Sequence, residues 1–446
     1  MLPPYQRAGA QKVLHGLKRF FRDTRGNVIM IIGLALPVVF LAIGGAVDFS
    51  RVMQLKKELQ DAADVASVGS VAVNSYAYKA NTKGHSSFKT GENQALAIFN
   101  SNVKKHNDLN NIKVKAKIKK QSTNLVSEIG VTADYRPYLL GLMGMNTMPI
   151  TIKSTSSSTF PPYIDFYLLL DNSPSMGVGA TTKDIDTMVA NTSDKCAFAC
   201  HQMDKAGNDY YALAKKLKVT TRIDVVRQAT QNLMTTAKNT QTLTDQYRMA
   251  IYHFGMAADQ IDSKNPAPYE VSALTTNLST SASNAAKIDL MTIPYQNYNS
   301  DRQTNFPSYL LGMNKVIPSS GDGSSSSKPQ QVLFFVSDGA NDGYDCAYSN
   351  GASCRRISPL DTPQCKAMKA RGVKIAVLYT TYLPLPTNAF YNSHLAKYVS
   401  PTSQLAAKMQ ECATEGLYFE VGPNEGISEA MNALFAKVIS TVRISS

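Results

Sequence analysis

The uncharged run from Val28 to Val47 constrains the fold of this chain more than any other feature. It contains 20 residues without a charged side chain, and Asp48 ends it. A helix of this length crosses the hydrocarbon core of a bilayer, whereas the apolar core of a cleaved signal peptide is usually shorter. We therefore predict a transmembrane helix over residues 27–47 that is retained and continues as an amphipathic helix beyond Asp48.

Basic side chains precede this run. Residues 1–26 contain one acid, Asp23, against six basic residues: Arg7, Lys12, Lys18, Arg19, Arg22 and Arg25. An excess of positive charge marks the cytoplasmic side of a transmembrane helix. We expect residues 1–26 to be a cytoplasmic basic segment and everything from Asp48 onward to lie outside the cytoplasm.

The formal net charge of +13 over 446 residues does not by itself indicate a nucleic-acid-binding protein. Lysine and arginine are concentrated only in residues 1–26 and 113–120, and no nucleic-acid-binding motif is present. This distribution fits a protein that lies close to an anionic membrane surface. We expect a membrane, and no nucleic acid, among the partners.

Six cysteines occur only in the second part of the chain, after residue 195. An even number confined to one region favours disulfides in an oxidising compartment, in agreement with the predicted topology. Of the fifteen possible connectivities we expect Cys346–Cys354 and Cys365–Cys412, which leaves Cys196 with Cys200. The alternative for the last two is a zinc fragment with His201, but it lacks a fourth ligand.

The N-terminal segment also carries a family resemblance. Residues 22–28 (RDTRGNV), the apolar run, residues 47–51 (VDFSR) and residues 59–64 (LQDAAD) follow one another in order. Together they resemble the N-terminal segment of TadG-like proteins of the bacterial tight-adherence (Flp-type) pilus assembly systems. In the related TadE-type pseudopilins a glutamate stands near the fifth position after a glycine. Here Ile31 stands there, so we expect the anchor to be retained.

Residues 48–160 are predicted to form a small α+β domain that is similar to pseudopilins. An apolar stripe at helical spacing runs through residues 48–78 and consists of Leu55, Leu59, Ala62, Ala63, Val65, Ala66, Val68 and Val71. A second helix over 94–103 and strands over 112–118, 125–133 and 148–154 follow. The Ser/Thr-rich residues 151–162 are expected to be a linker.

Residues 161–446 have the pattern of a doubly wound, Rossmann-like α/β domain. The apolar runs at 163–170 and 329–336 read as buried parallel strands, with further strands at 247–254, 373–381 and 417–421 and helices between them. His253 alternates into its strand and is expected to be a core or face residue without a functional role. Residues 178–221 and 339–365 interrupt the rhythm and are predicted to be insertions.

Polar residues follow both buried strands. Asp171, Ser173 and Ser175 form a D-x-S-x-S pattern after the first strand, and Asp338 follows the second. Thr304 lies in a loop before a helix. In this order they resemble the metal-ion-dependent adhesion site of von Willebrand factor type A domains, which implies a divalent cation, Mg²⁺ or else Mn²⁺ or Ca²⁺. The alternative is that these residues form turns and that Thr304 is a helix N-cap.

The two resemblances imply a single-pass protein of the bacterial inner membrane whose larger part is periplasmic or surface-exposed. We expect a component of tight-adherence pilus assembly and surface attachment that works with other pilus-assembly membrane proteins. Through the cation it would bind an acidic side chain of a protein partner. The alternative is a stand-alone metal-dependent adhesin or receptor. An enzyme, such as a hydrolase using Asp171 and Asp338, is not expected because no nucleophile has a recognisable base.

Overall fold

The computed structural model describes residues 26–82, 88–198, 201–202, 209–262, 267–295, 298, 303–346, 354–382, 384–386, 388–422 and 426–444. The predicted cytoplasmic segment up to residue 25 lies outside these ranges, and so does Cys200. The chain divides into two compact units, Met1–Ser158 and Thr159–Ser446, hereafter unit 1 and unit 2.

The described part of unit 1 combines helices with one antiparallel sheet. Its helices are α1 (Gly26–Val71), α2 (Tyr76–Thr82) and α3 (Lys89–Asn102), and its strands are β1 (Leu109–Gln121), β2 (Asn124–Tyr135) and β3 (Met148–Thr159). The strand order is β1-β2-β3, and β1 pairs with β2 in antiparallel register. This is the α+β arrangement that the sequence of the region predicts.

Helix α1 has two parts with different surroundings. Its 46 residues correspond to about 70 Å at a rise of about 1.5 Å per residue. The apolar side chains of its first half are exposed, whereas Leu55, Leu59 and Ala63 of its second half are buried in the core of unit 1. Val65 and Val68, predicted as part of the same stripe, are exposed because the helical period turns them away from that face.

The Ser/Thr-rich stretch before unit 2 is not the predicted linker. It is largely strand β3, which extends to Thr159. Ser154 and Ser156, on one face of the strand, contact α1: Ser154 donates to Asp64 at 2.6 Å, and its hydroxyl lies 2.9 Å from that of Ser67. Serine and threonine are compatible with a strand when their hydroxyls bond to a neighbouring helix. Composition alone therefore does not distinguish a strand from a linker here.

Unit 2 alternates strands with helices. Its strands are β4 (Ile164–Leu170), β5 (His201–Gln202), β6 (Tyr247–His253), β7 (Tyr269–Thr275), β8 (Thr292–Ile293), β9 (Gln330–Ser337), β10 (Ala340–Tyr344), β11 (Arg355–Pro359), β12 (Lys374–Thr380) and β13 (Tyr418–Val421). Its helices are α4 (Thr182–Asn191), α5 (Tyr210–Lys216), α6 (Arg222–Thr240), α7 (Leu278–Ala285), α8 (Phe306–Val316), α9 (Pro363–Ala370), α10 (Ala396–Val399), α11 (Gln404–Cys412) and α12 (Ile427–Ile444).

A six-stranded sheet in the order β13-β12-β9-β4-β6-β7 forms the centre of unit 2. Its strands are parallel except for the edge strand β7, which is antiparallel to β6. All seven residues of β4 are buried, and alternate side chains enter different cores: Phe166 and Leu168 on one face, Tyr167 and Leu169 on the other. Helices α6 and α12 cover the first face, and α8, α9 and α11 the second. The predicted doubly wound α/β fold is confirmed.

The segments predicted as insertions have structure of their own. Residues 178–221 contain α4, β5 and α5, and residues 339–365 contain the antiparallel hairpin of β10 and β11. His253 ends β6 with 1% of its surface exposed and stacks on Tyr269, so it is the core residue that its alternation predicts.

Candidate metal centre

The candidate site lies where two neighbouring strands of the sheet end. Leu170 of β4 pairs with Val336 of the parallel strand β9, and the amide of Asp171 donates to the carbonyl of Val336 at 2.9 Å. Asp338 follows directly after β9. The two predicted carboxylates therefore leave the sheet side by side, at the carboxyl ends where α/β sheets bind their ligands.

Asp171 is the centre of the first loop and has no exposed surface. Its Oδ1 accepts the amide of Ser173 at 2.9 Å and the hydroxyl of Ser173 at 2.6 Å, and its Oδ2 accepts the hydroxyl of Ser337 at 2.6 Å. The hydroxyl of Ser175 lies 3.1 Å from that of Ser173. The D-x-S-x-S spacing thus places one carboxylate and two hydroxyls within contact of one another.

Asp338 is also fully buried, but its two oxygens differ. Oδ1 accepts the amide of Ala340 at 3.2 Å. Oδ2 accepts no hydrogen bond from the described residues, and the nearest cation is Nη1 of Arg222 at 3.8 Å, which lacks a hydrogen-bond partner as well. Nη2 of Arg222 donates to the carbonyl of Thr381 at 3.0 Å, which fixes the guanidinium beside the carboxylate. A buried acceptor without a donor is costly, so this oxygen is a place for a ligand.

Both carboxylates hold protons more strongly than ordinary aspartates. Burial, and then the negative charge of Asp338, raise the pKa of Asp171 to about 7, although hydrogen bonds from Ser173 and Ser337 oppose the shift. Burial also raises the pKa of Asp338, against the charge of Arg222 and the nearby hydroxyl of Ser175. Two buried acids that resist ionisation together are a pair that a cation would stabilise.

Thr304 lies near the first loop, and it is not the helix N-cap that the alternative interpretation predicts. The N-cap of α8 is Asn305, whose side chain accepts the amide of Ser308. Thr304 is 4% exposed, and its amide and carbonyl pair with Asp342 at 3.1 Å each. Thr304 and Ser175 line one pocket, together with Asp342 and Tyr382. The second hydroxyl-bearing loop is therefore beside the first.

The turn after β9 requires its glycine. Gly339 has a φ of +75°, and a Cβ at this position would approach Cγ of Met409 to 2.9 Å. Only glycine adopts this conformation without strain and leaves room for α11. The turn interpretation of Asp338-Gly339 is correct for the backbone, and it leaves the carboxylate of Asp338 directed into the buried site.

Three residues of the site have no signal in the sequence as site residues. The sequence predicts Arg222 only as the first residue of a helix, whose start is explained by the capping box of Thr221 and Asp224. Ser337 reads as the last residue of a strand. Asn172 reads as a turn residue, but its side chain donates to the carbonyl of Gly255 at 2.7 Å and ties the first loop to the end of β6. Only the packing of three loops reveals these roles.

Cysteines away from the site join the elements around it. The structure contains the disulfides Cys346–Cys354 and Cys365–Cys412, the two pairs that the sequence favours. The second joins α9 to α11 on one face of the sheet. Cys196 is buried, and Cys200, with which it would pair or hold zinc, lies outside the described residues.

The strand order and the carboxylate–hydroxyl edge define unit 2 as a doubly wound α/β domain whose central sheet resembles that of von Willebrand factor A domains. The family model of putative Flp pilus-assembly TadE/G-like proteins matches residues 26–73 and confirms the resemblance that the N-terminal motifs carry. None of the curated proteins matches this chain at a significant level.

Solved structures with overall similarity include pilus proteins. The von Willebrand factor domain of the type V pili tip protein Mfa5 from Porphyromonas gingivalis is 10% identical, with 64% of this chain and 97% of that chain covered and a TM-score of 0.35. The pilus adhesin SpaC from Lactobacillus rhamnosus GG is 12% identical, covering 75% and 34%, with a TM-score of 0.33. At these scores the likeness carries no argument about function.

Proposed function

We propose that this protein is a membrane-anchored component of tight-adherence pilus assembly and surface attachment, and that unit 2 binds an acidic side chain of a protein partner through a divalent cation. The observation that carries the binding site is the buried Oδ2 of Asp338, which has no hydrogen-bond donor among the described residues. The pilus assignment is supported by the TadE/G-like match at residues 26–73.

The anchor in this proposal is the first half of α1. Among the described residues it is the one helix that is long and apolar enough to cross a membrane. Its side chains are exposed in the isolated chain, for example Ile29 at 75% and Phe40 at 66%, as lipid-facing residues would be. With the basic residues before it in the cytoplasm, the part of unit 1 from Asp48 onward and the whole of unit 2 would be periplasmic or surface-exposed in an inner-membrane protein.

The residues at the end of β4 and β9 fit a hard divalent cation. The described residues contain no group of three or more His, Cys, Asp or Glu side chains that would hold a metal. The donor set here is instead two carboxylates and the hydroxyls of Ser173, Ser175 and Thr304, all oxygen, which suits Mg²⁺, Mn²⁺ or Ca²⁺ and not zinc. Asp171 and Asp338 would supply the negative charge, and the hydroxyls would complete the set.

The charge balance of the site explains why an acidic partner would bind. Two ionised carboxylates and the guanidinium of Arg222 leave one negative charge, so a divalent cation would retain one positive charge. A divalent cation held by these oxygens would offer its remaining charge to an additional oxygen ligand. A carboxylate from a partner neutralises the excess, and Arg222 thereby makes the site more attractive to an acid than two carboxylates alone would.

The arrangement favours binding over catalysis. The hydroxyl of Ser173 donates to Asp171, and that of Ser175 lies against Ser173. No histidine or lysine is among the described residues that line the pocket beside Ser175 and Thr304. We therefore propose a non-enzymatic role.

The test is affinity purification of the full-length protein from membranes, with Mg²⁺ or with a chelator. We expect pilus-assembly proteins to co-purify in Mg²⁺ and to be lost in chelator and in Asp171→Ala. The matched control is Asp186→Ala, which removes an exposed aspartate on α4. Binding that is unchanged in chelator contradicts the cation site. Cation-dependent binding without any pilus protein favours the stand-alone adhesin.

A further inference from the structure

The loop between β2 and β3 is apolar and exposed, which is unusual for a loop in water. Residues 138–145, hereafter the 138–145 loop, read YLLGLMGM, and no charged residue occurs between Arg136 and Lys153. Leu142 is 85% exposed, Tyr138 68% and Met143 57%. A contiguous apolar surface of this kind marks a place where a partner or a membrane covers the protein.

The loop packs at the outer end of the uncharged run of α1. Leu139 contacts Gly44, where a Cβ would come within 2.9 Å of the Cβ of Leu139, and Leu140 lies against Gly45. Gly44 precedes Asp48 by one turn of helix, about 6 Å along the axis. The loop is therefore level with the last turn of the apolar run and beside it.

Asp48, the first charged residue after the apolar run, holds the loop in place. Its carboxylate accepts four hydrogen bonds, from the hydroxyl of Tyr135 at 2.9 Å and from the amides of Tyr138, Leu139 and Leu140 at 2.9, 2.9 and 2.7 Å. Asp48 itself has no exposed surface. An acid at this position would otherwise face lipid headgroups, and here its negative charge is stabilised by hydrogen bonds from its own chain.

The backbone of the loop needs little water. Besides the three amides on Asp48, the amide of Leu142 donates to Leu139, that of Gly144 to Gly141, and that of Met145 to Leu140, at 3.1 to 3.3 Å. Backbone groups without partners are costly in a bilayer, so irregular chain is tolerated at membrane depth only when it satisfies itself. This loop combines an apolar surface with six backbone amides that have partners within unit 1.

We propose that the 138–145 loop is a second membrane contact, which inserts Leu142, Met143 and Tyr138 into the outer part of the bilayer that α1 crosses. The occupant of the apolar surface is lipid because the loop is continuous with the lipid-facing half of α1. This inference rests on the proposed membrane anchor. With two contacts, the anchor and the loop, unit 1 would be fixed at the membrane surface instead of rotating about a single helix.

The chain contains no tryptophan, so a single introduced tryptophan is the only source of tryptophan fluorescence. Three single-tryptophan variants of the full-length protein are reconstituted in phosphatidylcholine and phosphatidylglycerol vesicles, with and without lipids brominated on their acyl chains. Leu142→Trp reports on the loop and Phe40→Trp on the anchor. Tyr76→Trp is the control. Tyr76 is exposed and follows the end of α1, and that end lies about 35 Å along the helix from Asp48, away from the expected membrane surface.

We expect brominated lipid to quench Leu142→Trp and Phe40→Trp and to leave Tyr76→Trp unchanged. If Phe40→Trp is quenched and Leu142→Trp is not, the inference is wrong while the anchor stands. Emission of Leu142→Trp that is blue-shifted but not quenched means that protein covers the loop, which also overturns it. An unquenched Phe40→Trp refutes the anchor, and the loop inference with it. Met143→Trp repeats the measurement should Leu142→Trp fail to fold.

Discussion

Replacing Asp171 by asparagine should stabilise the cation-free protein while it abolishes cation binding. The substitution keeps the size of the side chain and an oxygen for the two bonds from Ser173. It removes one of two buried negative charges that repel each other. The hydroxyl of Ser337, which donates to Asp171, can rotate to accept from the new amide. Loss of a ligand and gain of stability are therefore expected from the same change.

The magnitude follows from the raised pKa of Asp171. Burial and the charge of Asp338 raise that pKa from 3.8 to about 7, so the stability that the protonated carboxyl contributes is present below pH 3.8 and lost as pH rises through 7. A difference of one pKa unit corresponds to about 1.4 kcal/mol, so the free energy of unfolding at pH 8 is lowered by about 4 kcal/mol at most. A weaker hydrogen bond to Ser337 offsets about 1–2 kcal/mol. We expect a net gain of about 2 kcal/mol.

Thermal unfolding of the full-length protein in chelator at pH 8 measures this gain. For a unit that extends from Thr159 to Ser446, about 2 kcal/mol corresponds to a rise of about 3 °C in the midpoint of unfolding. In Mg²⁺ at about 100 times its dissociation constant the wild type should gain about 2.7 kcal/mol, and Asp171→Asn should gain nothing. Asp186→Asn is the matched control and should behave as the wild type. A variant less stable than the wild type in chelator, or one that still responds to Mg²⁺, refutes the reasoning.

Three further predictions concern residues outside the site. Burial lowers the pKa of His253 from 6.5 to about 4, so unfolding takes up a proton at this residue between these values. Protonation of Asp171 adds stability over the same range, so the contribution of His253 is measured as a difference: as pH falls from 6.5 to 4, the free energy of unfolding of the wild type in denaturant should fall by about 3 kcal/mol relative to that of His253→Asn. Replacing Cys365 and Cys412 by serine removes a disulfide with a sequence separation of 47, and the urea midpoint should drop by the equivalent of about 4 kcal/mol. Asp48→Ala leaves the amides of Tyr138, Leu139 and Leu140 without their acceptor; hydrogen exchange at these amides should accelerate, and unchanged protection would contradict the role of Asp48.

Apolar patterning predicts the sheet of unit 2 well because the strands are buried on both faces. The pattern predicts a buried strand for each of two apolar runs, and the polar residues after each run mark the end of the strand; the runs are Tyr163–Leu170 and Pro329–Val336. The positions of Asp171 and Asp338 at the strand ends follow from the sequence for this reason, whereas their role as ligands stays a prediction. The two residues are far apart in the sequence, but they lie close together because neighbouring parallel strands end at the same edge of the sheet.

The contacts that cross between loops are not predictable in the same way. The side chain of Arg222 lies beside Asp338, and its other terminal nitrogen donates a hydrogen bond to the carbonyl of Thr381. Ser154 of β3 contacts Asp64 and Ser67 of α1. These are pairings of residues far apart in sequence, and neither composition nor periodicity contains information about them.

The predicted cation at the end of β4 and β9 is tested most directly by titrating Mn²⁺ into the chelator-treated, full-length protein and following the loss of the free-ion signal by electron paramagnetic resonance. We expect one saturable site in the wild type, displaced by excess Mg²⁺ and absent in Asp338→Asn and in Thr304→Val. The absence of a saturable site, or a site that both variants retain unchanged, would contradict the role proposed for these residues.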